Sequence, residues 1–150
     1  MPQKYLPIIT IVTMGFMIAS CSGTPPTSFG TQPDGKLAPC PDTPNCVSSF
    51  ASPEDETHYI PPIQADEKMW NKLPRILTDT PRIKVTNQSE YYLKAEATTR
   101  ILRFVDDLEF LYHPDQALIH IRSASRIGRS DLGVNRKRIE RIREQLQKNK

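Results

Sequence analysis

The sequence predicts an α+β fold in which an antiparallel meander of about four strands lies between two helices. Apolar and polar residues alternate over 91–98, and again on both sides of a turn at 113–116. Apolar residues recur at helical spacing over 66–77 and 133–147. With 150 residues, 37% of them hydrophobic, the chain allows one modest domain and excludes a polytopic membrane protein.

Residues 1–20 have the form of a secretory signal peptide. One basic residue, Lys4, precedes an apolar run over 8–18, and the small residues Ala19 and Ser20 stand before Cys21. A permanent transmembrane helix needs roughly 20 apolar residues, and this run is shorter and interrupted by threonine and glycine. We therefore predict a leader that is removed on export.

The end of this leader, 18–21 (IASC), resembles the lipobox of bacterial lipoproteins. That resemblance implies that Cys21 is lipidated and becomes the first residue of the mature chain. Two or more acyl chains hold a protein stably on a bilayer, whereas one chain is marginal. In such lipoproteins an Asp directly after the lipidated cysteine directs retention in the inner membrane. Ser22 stands in that position here, which implies sorting to the outer membrane. We expect a lipid-anchored protein of the bacterial cell envelope that faces the periplasm.

Residues 21–36 are rich in glycine, threonine, serine and proline and contain a single aromatic residue, Phe29. Such a segment cannot bury enough apolar surface to fold by itself. We predict a flexible tether over 21–36, followed by a single domain over 37–150.

With Cys21 assigned to lipid, Cys40 and Cys46 remain as an even pair. An exported chain is in an oxidising compartment, where two nearby cysteines usually form a disulfide. The five intervening residues include two prolines and are typical of a turn. A zinc site and a redox pair are the alternatives, but both favour shorter spacing. We predict a structural disulfide.

The first helix is expected over 66–77, where Trp70, Leu73 and Leu77 share one face. The acidic residues at its start suit the positive end of the helix dipole. Pro74 predicts either a kink or a later start.

The meander begins at Ile83 and Val85 and turns at 87–89. A second strand covers 91–98. The third places alternate residues on one face: Leu102, Phe104, Asp106, Leu108 and Phe110. A four-residue loop at 113–116 would put Tyr112 opposite Ala117, and from that register follow the pairs Phe110–Ile119, Leu108–Ile121, Glu109–His120 and Asp107–Arg122. The proline-containing segment at 58–63 would add an edge strand.

Two carboxylates are interpreted as structural. Asp106 falls on the apolar face of its strand, where a carboxylate must be paired, hydrogen-bonded or neutral, although a catalytic acid is the alternative. Asp131, or Ser130 beside it, is placed to cap a final amphipathic helix over 133–147. That helix carries Ile139, Ile142 and Leu146 in one stripe, which we expect to cover one face of the sheet.

Three segments together resemble a bacterial and plastid family, the domain of unknown function 1499. They are 37–49 (LAPCPDTPNCVSS), 103–110 (RFVDDLEF) and 122–139 (RSASRIGRSDLGVNRKRI). The resemblance spans nearly all of the predicted domain. It implies one domain and an association with an envelope or plastid membrane, and it implies no reaction.

Positive charge is concentrated near the C-terminus. Residues 122–143 hold seven arginines and one lysine against two acidic residues, a net charge of +6, which leaves a net charge of −4 for the rest of the mature chain. Basic residues at a helix N-terminus oppose the dipole unless an anion offsets them, and the free amides there favour an anion. We predict an anion-binding patch, with a solvated basic face as the alternative: Arg122, Arg126, Ser130, Asn135 and Arg138.

These features favour a membrane-anchored binding or structural module whose partners are the membrane, through its lipid anchor, and an anionic ligand or envelope protein. An envelope hydrolase or transferase is the alternative, with Asp106, Asp107, His120 and Arg122 as its constellation. The sequence contains no known catalytic or nucleotide-binding motif, so we lean towards a protein that is not an enzyme and assign no catalytic residue, cofactor or metal. Nucleic acid is not an expected partner, because the chain is predicted to be exported and has no aromatic platform.

Overall fold

Six antiparallel strands and two helices form the part of the chain that the structure, a computed structural model, describes: residues 29–148. The predicted leader, Cys21 and the first part of the tether lie outside the described residues. The elements are β1 (Cys46–Ser48), β2 (Ile63–Gln64), α1 (Glu67–Asp79), β3 (Ile83–Gln88), β4 (Tyr92–Thr98), β5 (Val105–His113), β6 (Leu118–Ser125) and α2 (Val134–Lys148).

The α+β class and the antiparallel meander are confirmed, but the sheet has six strands rather than about four. Its order is β1-β6-β5-β4-β3, and β2 also pairs with β6, on the side of β1. The two additional strands are three and two residues long, and β2 begins at Ile63, the last residue of the segment predicted to add an edge strand. Strands this short carry no detectable alternation, because a period of two needs about four residues to be seen.

The predicted register of the β5–β6 hairpin is wrong by two residues. Phe110 pairs with Ile121 and Tyr112 with Ile119, because His113 and Leu118 form the closing pair. The loop is a 3-10 turn at Pro114–Gln116 followed by Ala117 in the left-handed region, with φ 50°. A shift of two keeps every residue on its predicted face. The partners nevertheless change, as the observed pairs Leu108–Ser123, Glu109–Arg122 and Asp107–Ala124 record.

The strand β5 begins later than predicted. The Thr99 N–H donates to the Phe104 carbonyl and the Phe104 N–H to Thr99 Oγ1, both at 2.8 Å, so 100–103 form a loop. Leu102, expected on the apolar face, is therefore in that loop and 63% exposed.

Both helices cover one face of the sheet. The side chain of Asp66 caps α1 by accepting the Met69 N–H at 2.8 Å, and the helix continues through Pro74 to Asp79. Its buried face meets that of α2 over the meander. The core between these layers contains Trp70, Leu73, Leu77, Leu93, Leu108, Phe110, Ile119, Ile121, Ile139, Ile142 and Leu146. Neither helix is long and apolar enough to cross a membrane within residues 29–148.

The start of the described chain lies against the opposite face of the sheet. The Gly30 N–H donates to Glu109 Oε1 at 2.8 Å, and Lys94 Nζ lies 3.1 Å from the centre of the Phe29 ring. Leu37 and Ala38 are buried. Phe29 and Gly30, which belong to the predicted tether, thus contact the sheet, whereas residues 33–36 are exposed.

Candidate anion-binding site

A layer of six charged side chains lies on the sheet face away from the helices. It contains three cations and three anions on neighbouring strands and the turn after β6. We call it the buried charged layer: Lys94, Glu96, Asp107, Glu109, Arg122 and Arg126.

Arg126 is the centre of this layer. Its Nε and one Nη each donate to Asp107 at 2.8 Å, and the same Nη also contacts Glu96. The side chain is only 6% exposed and Asp107 is fully buried. The bond to Asp107 is the main reason why the pKa of Arg126 is raised. Its guanidinium is thus already matched by carboxylates.

Arg122 is held in the same way by Glu109, at 3.2 Å. Glu109 also accepts from the Tyr92 hydroxyl at 2.8 Å and from the Gly30 N–H. Burial, followed by the charge of Glu109, raises the pKa of Tyr92. The Nε of Arg122 is buried without a partner among the described residues. Arg122 is 4% exposed, so it is not available to a ligand from solvent.

Arg138 and Asp106 form a separate pair on the helix side of the sheet. Arg138 donates to Asp106 at 2.6 Å and to the amide oxygen of Asn135 at 2.8 Å. Asn135 is fully buried, and its amide nitrogen donates to the Asn45 carbonyl and to Ser125 Oγ. Asp106 is thus placed as a paired, buried carboxylate that joins α2 to β5.

The turn before α2 is organised by Asp131. Its carboxylate accepts the N–H groups of Gly133 at 2.9 Å and Asn135 at 2.7 Å. Ser130 is exposed and accepts the Leu132 N–H. Protein groups therefore already occupy the amides at this helix start that were expected to attract an anion.

The five residues predicted to bind an anion are consequently not one exposed patch. Arg122 and Arg126 are buried on one face of the sheet, whereas Arg138 and Asn135 are buried on the other. The net charge of +6 over residues 122–143 does not reveal this burial, because the carboxylates that neutralise the arginines lie elsewhere in the chain, on β4 and β5. Burial of an unpaired charge is so costly that these acids and arginines must meet.

The residues of the enzyme alternative are also divided. Asp106 lies on the helix side, whereas Asp107, His120 and Arg122 lie on the opposite face. His120 is stacked on Phe50 at 4.2 Å and hydrogen-bonded through Nδ1 to Ser49 Oγ at 3.1 Å. Burial lowers the pKa of His120 to about 4. Ser49 Oγ also accepts the Ile121 N–H, so this pair is bound into the fold.

The predicted disulfide is confirmed between Cys40 and Cys46, with a Cα–Cα distance of 5.6 Å. Cys46 is the first residue of β1 and pairs with Ala124. The bridge therefore fastens the chain that crosses the charged face to the edge of the sheet.

Another group of arginines does face solvent. A cleft of about 530 Å³ lies between the end of α1, the β3–β4 edge and α2. Arg82, Arg100 and Arg141 line it and are exposed, and Arg138 lines it with its charge matched by Asp106. No carboxylate is among the described residues that line it. We call this the arginine cleft.

Of these four arginines, only Arg138 belongs to the predicted anion-binding patch. Arg82 precedes β3 and Arg100 follows β4, so they are neighbours only because Ile83 pairs with Ala97. No linear signal groups them with Arg141. Within residues 29–148, no group of three or more histidine, cysteine, aspartate or glutamate side chains is arranged to hold a metal.

The fold and its charged faces define a small α+β domain with a polar layer buried on one face of its sheet and two helices on the other. The chain belongs to the family described as "Protein of unknown function (DUF1499)", whose model matches residues 36–146. No curated protein matches the chain. No solved structure matches it either.

Proposed function

We propose that this protein is a lipid-anchored module of the bacterial cell envelope that binds an anionic ligand in the arginine cleft. Cys21 carries the lipid, and the domain faces the periplasm from the outer membrane. The module recognises its ligand and has no catalytic role. The observation that carries this proposal is the cleft's set of exposed arginines without a carboxylate in the lining.

The composition of the cleft supports an anionic ligand. Guanidinium groups make paired hydrogen bonds to phosphate and carboxylate oxygens, and their charge cannot be lost by titration. Three exposed arginines line one cleft whose lining contains no carboxylate, so an anion bound there would be attracted by all three charges. Arg138 also lines the cleft, and its charge is matched by Asp106.

The sequence supports the anchor. A short leader that ends in Ala19 and Ser20, directly before Cys21, is the pattern expected for lipidation, and an oxidising location agrees with the disulfide. The family match is compatible with this location and adds no ligand.

The ligand is tested by calorimetric titration with inorganic phosphate, glycerol 3-phosphate and muramyl peptides at low and high salt. Arg141→Gln and Arg82→Gln should abolish binding while the protein stays folded. Arg129→Gln, an exposed arginine outside the cleft lining, is the matched control and should bind normally. Equal loss in the control, or no heat with any anion, would reject the cleft as the site.

The anchor is tested separately by mass spectrometry of the N-terminus and by membrane fractionation. We expect the mature chain to begin at an acylated Cys21, and Cys21→Ser to leave the membrane fraction. An intact leader on membrane-bound protein would contradict the proposed processing.

A further inference from the structure

The loop between β4 and β5 exposes two aliphatic side chains at its tip. The four residues at the tip, 100–103, read Arg-Ile-Leu-Arg, and Ile101 is 86% and Leu102 63% exposed. Arg100 and Arg103 bracket them and are exposed as well. A surface loop of this length needs no aliphatic residue for its own fold, so the pair is available to something outside the domain.

A second exposed aliphatic residue pair lies at the same end of the sheet. Leu132, in the turn that follows β6, is 85% exposed, and Val134, the first residue of α2, is 37% exposed. Val134 and Arg100 line the same cleft, which brings the turn beside the loop. Leu132 also has φ 55°, a left-handed conformation that favours glycine or asparagine. Neither packing within the domain nor backbone preference explains a leucine there.

The two ends of the sheet carry opposite charge. The end with the exposed aliphatic residues carries four exposed arginines, Arg82, Arg100, Arg103 and Arg129, against the exposed Asp79 at the end of α1, which is paired with Arg75. The other end, with the start of α1 and the two remaining turns, carries four exposed acids, Asp66, Glu67, Glu90 and Asp115, against the exposed Lys68. A hydrogen bond to Glu90 is the main reason why the pKa of Tyr91 is raised there, and the charges of Glu90, Glu67 and Asp115 act in the same direction. The domain is therefore polarised along its strands.

We propose that this basic end docks on the surface of an anionic phospholipid bilayer. Its aliphatic side chains enter the boundary between headgroups and acyl chains, while its arginines contact lipid phosphates. We call the surface the docking tip: Arg100, Ile101, Leu102, Arg103, Leu132 and Val134. Exposed aliphatic residues with flanking basic ones are the composition that binds such an interface.

The charge of the docking tip favours an anionic bilayer as its partner. Its arginines complement lipid phosphates, and its four apolar residues are all aliphatic, as acyl chains are. Chain length agrees with this. The eight residues from Cys21 to Phe29 reach at most about 28 Å. The ring of Phe29 contacts Lys94. Lys94 is four residues before the last residue of β4, a distance of about 13 Å along the strand. A lipid on Cys21 would therefore hold the tip within reach of the bilayer. Only this chain-length argument depends on the proposed anchor.

The test uses the chain from residue 21 with Cys21→Ser, so that no lipid contributes, after its cooperative thermal unfolding has been verified. Binding to phosphatidylglycerol-containing vesicles is measured by co-sedimentation, with neutral phosphatidylcholine vesicles for comparison. Ile101→Asp should weaken the partition coefficient roughly tenfold. Arg103→Gln, which does not line the arginine cleft, should weaken it about fivefold, since each basic residue near an anionic surface contributes about 1 kcal/mol. Lys68→Gln, an exposed cation at the acidic end, is the matched control and should bind normally.

A second measurement reports orientation. Tryptophan fluorescence of Ile101→Trp should shift to the blue and be quenched by brominated lipid, whereas Tyr91→Trp at the opposite end should do neither. The folded chain's failure to bind anionic vesicles would overturn the proposal, as would equal quenching of both tryptophans. Self-association in the absence of lipid that Ile101→Asp abolishes would overturn it in favour of a protein interface. A negative result in these vesicle assays would not bear on phosphate binding by the arginine cleft or on acylation of Cys21, which are tested by separate assays.

Discussion

Replacing Arg126 with alanine removes the cation at the centre of the buried charged layer. Asp107 is fully buried and would keep only Lys94, whose Nζ lies 3.7 Å away. Two hydrogen bonds of 2.8 Å and the contact with Glu96 are lost together. Removing one partner of a buried ion pair costs about 3–5 kcal/mol, because the remaining charge stays desolvated.

For a domain of this size, each kcal/mol shifts the unfolding midpoint by about 4 °C, so Arg126→Ala should lower it by about 12–20 °C. Differential scanning calorimetry measures the change. Arg129→Ala is the matched control, because that arginine stands three positions later and is exposed. Its midpoint should be nearly unchanged.

A double-mutant cycle then separates the ion pair from other losses. With Asp107→Asn in place, the further substitution Arg126→Ala should cost much less, with a coupling of about 1–3 kcal/mol. An Arg126→Ala midpoint within about 2 °C of the wild type, or additive costs in the cycle, would refute a structural role. Arg126 would then be free to bind an external anion, as its place in the predicted patch implied.

Three other substitutions test the remaining parts of the structure. The pKa of His120 is lowered from about 6.5 to about 4 by burial, so the folded state should lose up to about 3 kcal/mol as the pH falls through that window. Denaturant titrations across this pH window should show that the loss is absent in His120→Gln. A free energy of unfolding that falls with pH as steeply in the variant as in the wild type would contradict the prediction. Joint replacement of Cys40 and Cys46 by serine should lower the free energy of unfolding by about 2 kcal/mol, since the bridge closes a loop with a sequence separation of 6. Free thiols in wild-type protein isolated without reductant would contradict the bridge. Asp106→Ala should destabilise by about 3–5 kcal/mol through the buried charge left on Arg138, whereas a loss confined to ligand binding would speak against a structural pair.

Local patterns were sufficient for the longer elements and most of their faces, but not for the short strand β1 or for the start of β5. The alternation over 91–98 and the stripe of Ile139, Ile142 and Leu146 each depend on a few neighbouring residues, so the strand β4 and the helix α2 could be located from the sequence. The register of the β5–β6 hairpin could not. It depends on how Ala117 enters the left-handed region after the 3-10 turn, and a two-residue shift preserves the same alternation.

The candidate site was less predictable because electrostatics depends on distance in space. The arginines at 122–143 were counted as surplus charge, but Glu96, Asp107 and Glu109 on neighbouring strands neutralise two of them. The exposed arginines of the cleft come from three separate segments. No spacing rule along the chain connects a residue before β3, a residue after β4 and a residue on α2.

By itself, the sequence determined the α+β class, the disulfide partners, the family and the two amphipathic helices, because periodicity, cysteine parity and motif order are properties of neighbouring residues. Tertiary structure alone decided which charges are buried and which remain exposed. Strand pairing brings Arg126 to Asp107 on one face and places Arg82 beside Arg100 at one end. Since an unpaired charge is costly in the interior and cheap in water, the availability of an arginine is decided by the fold that surrounds it.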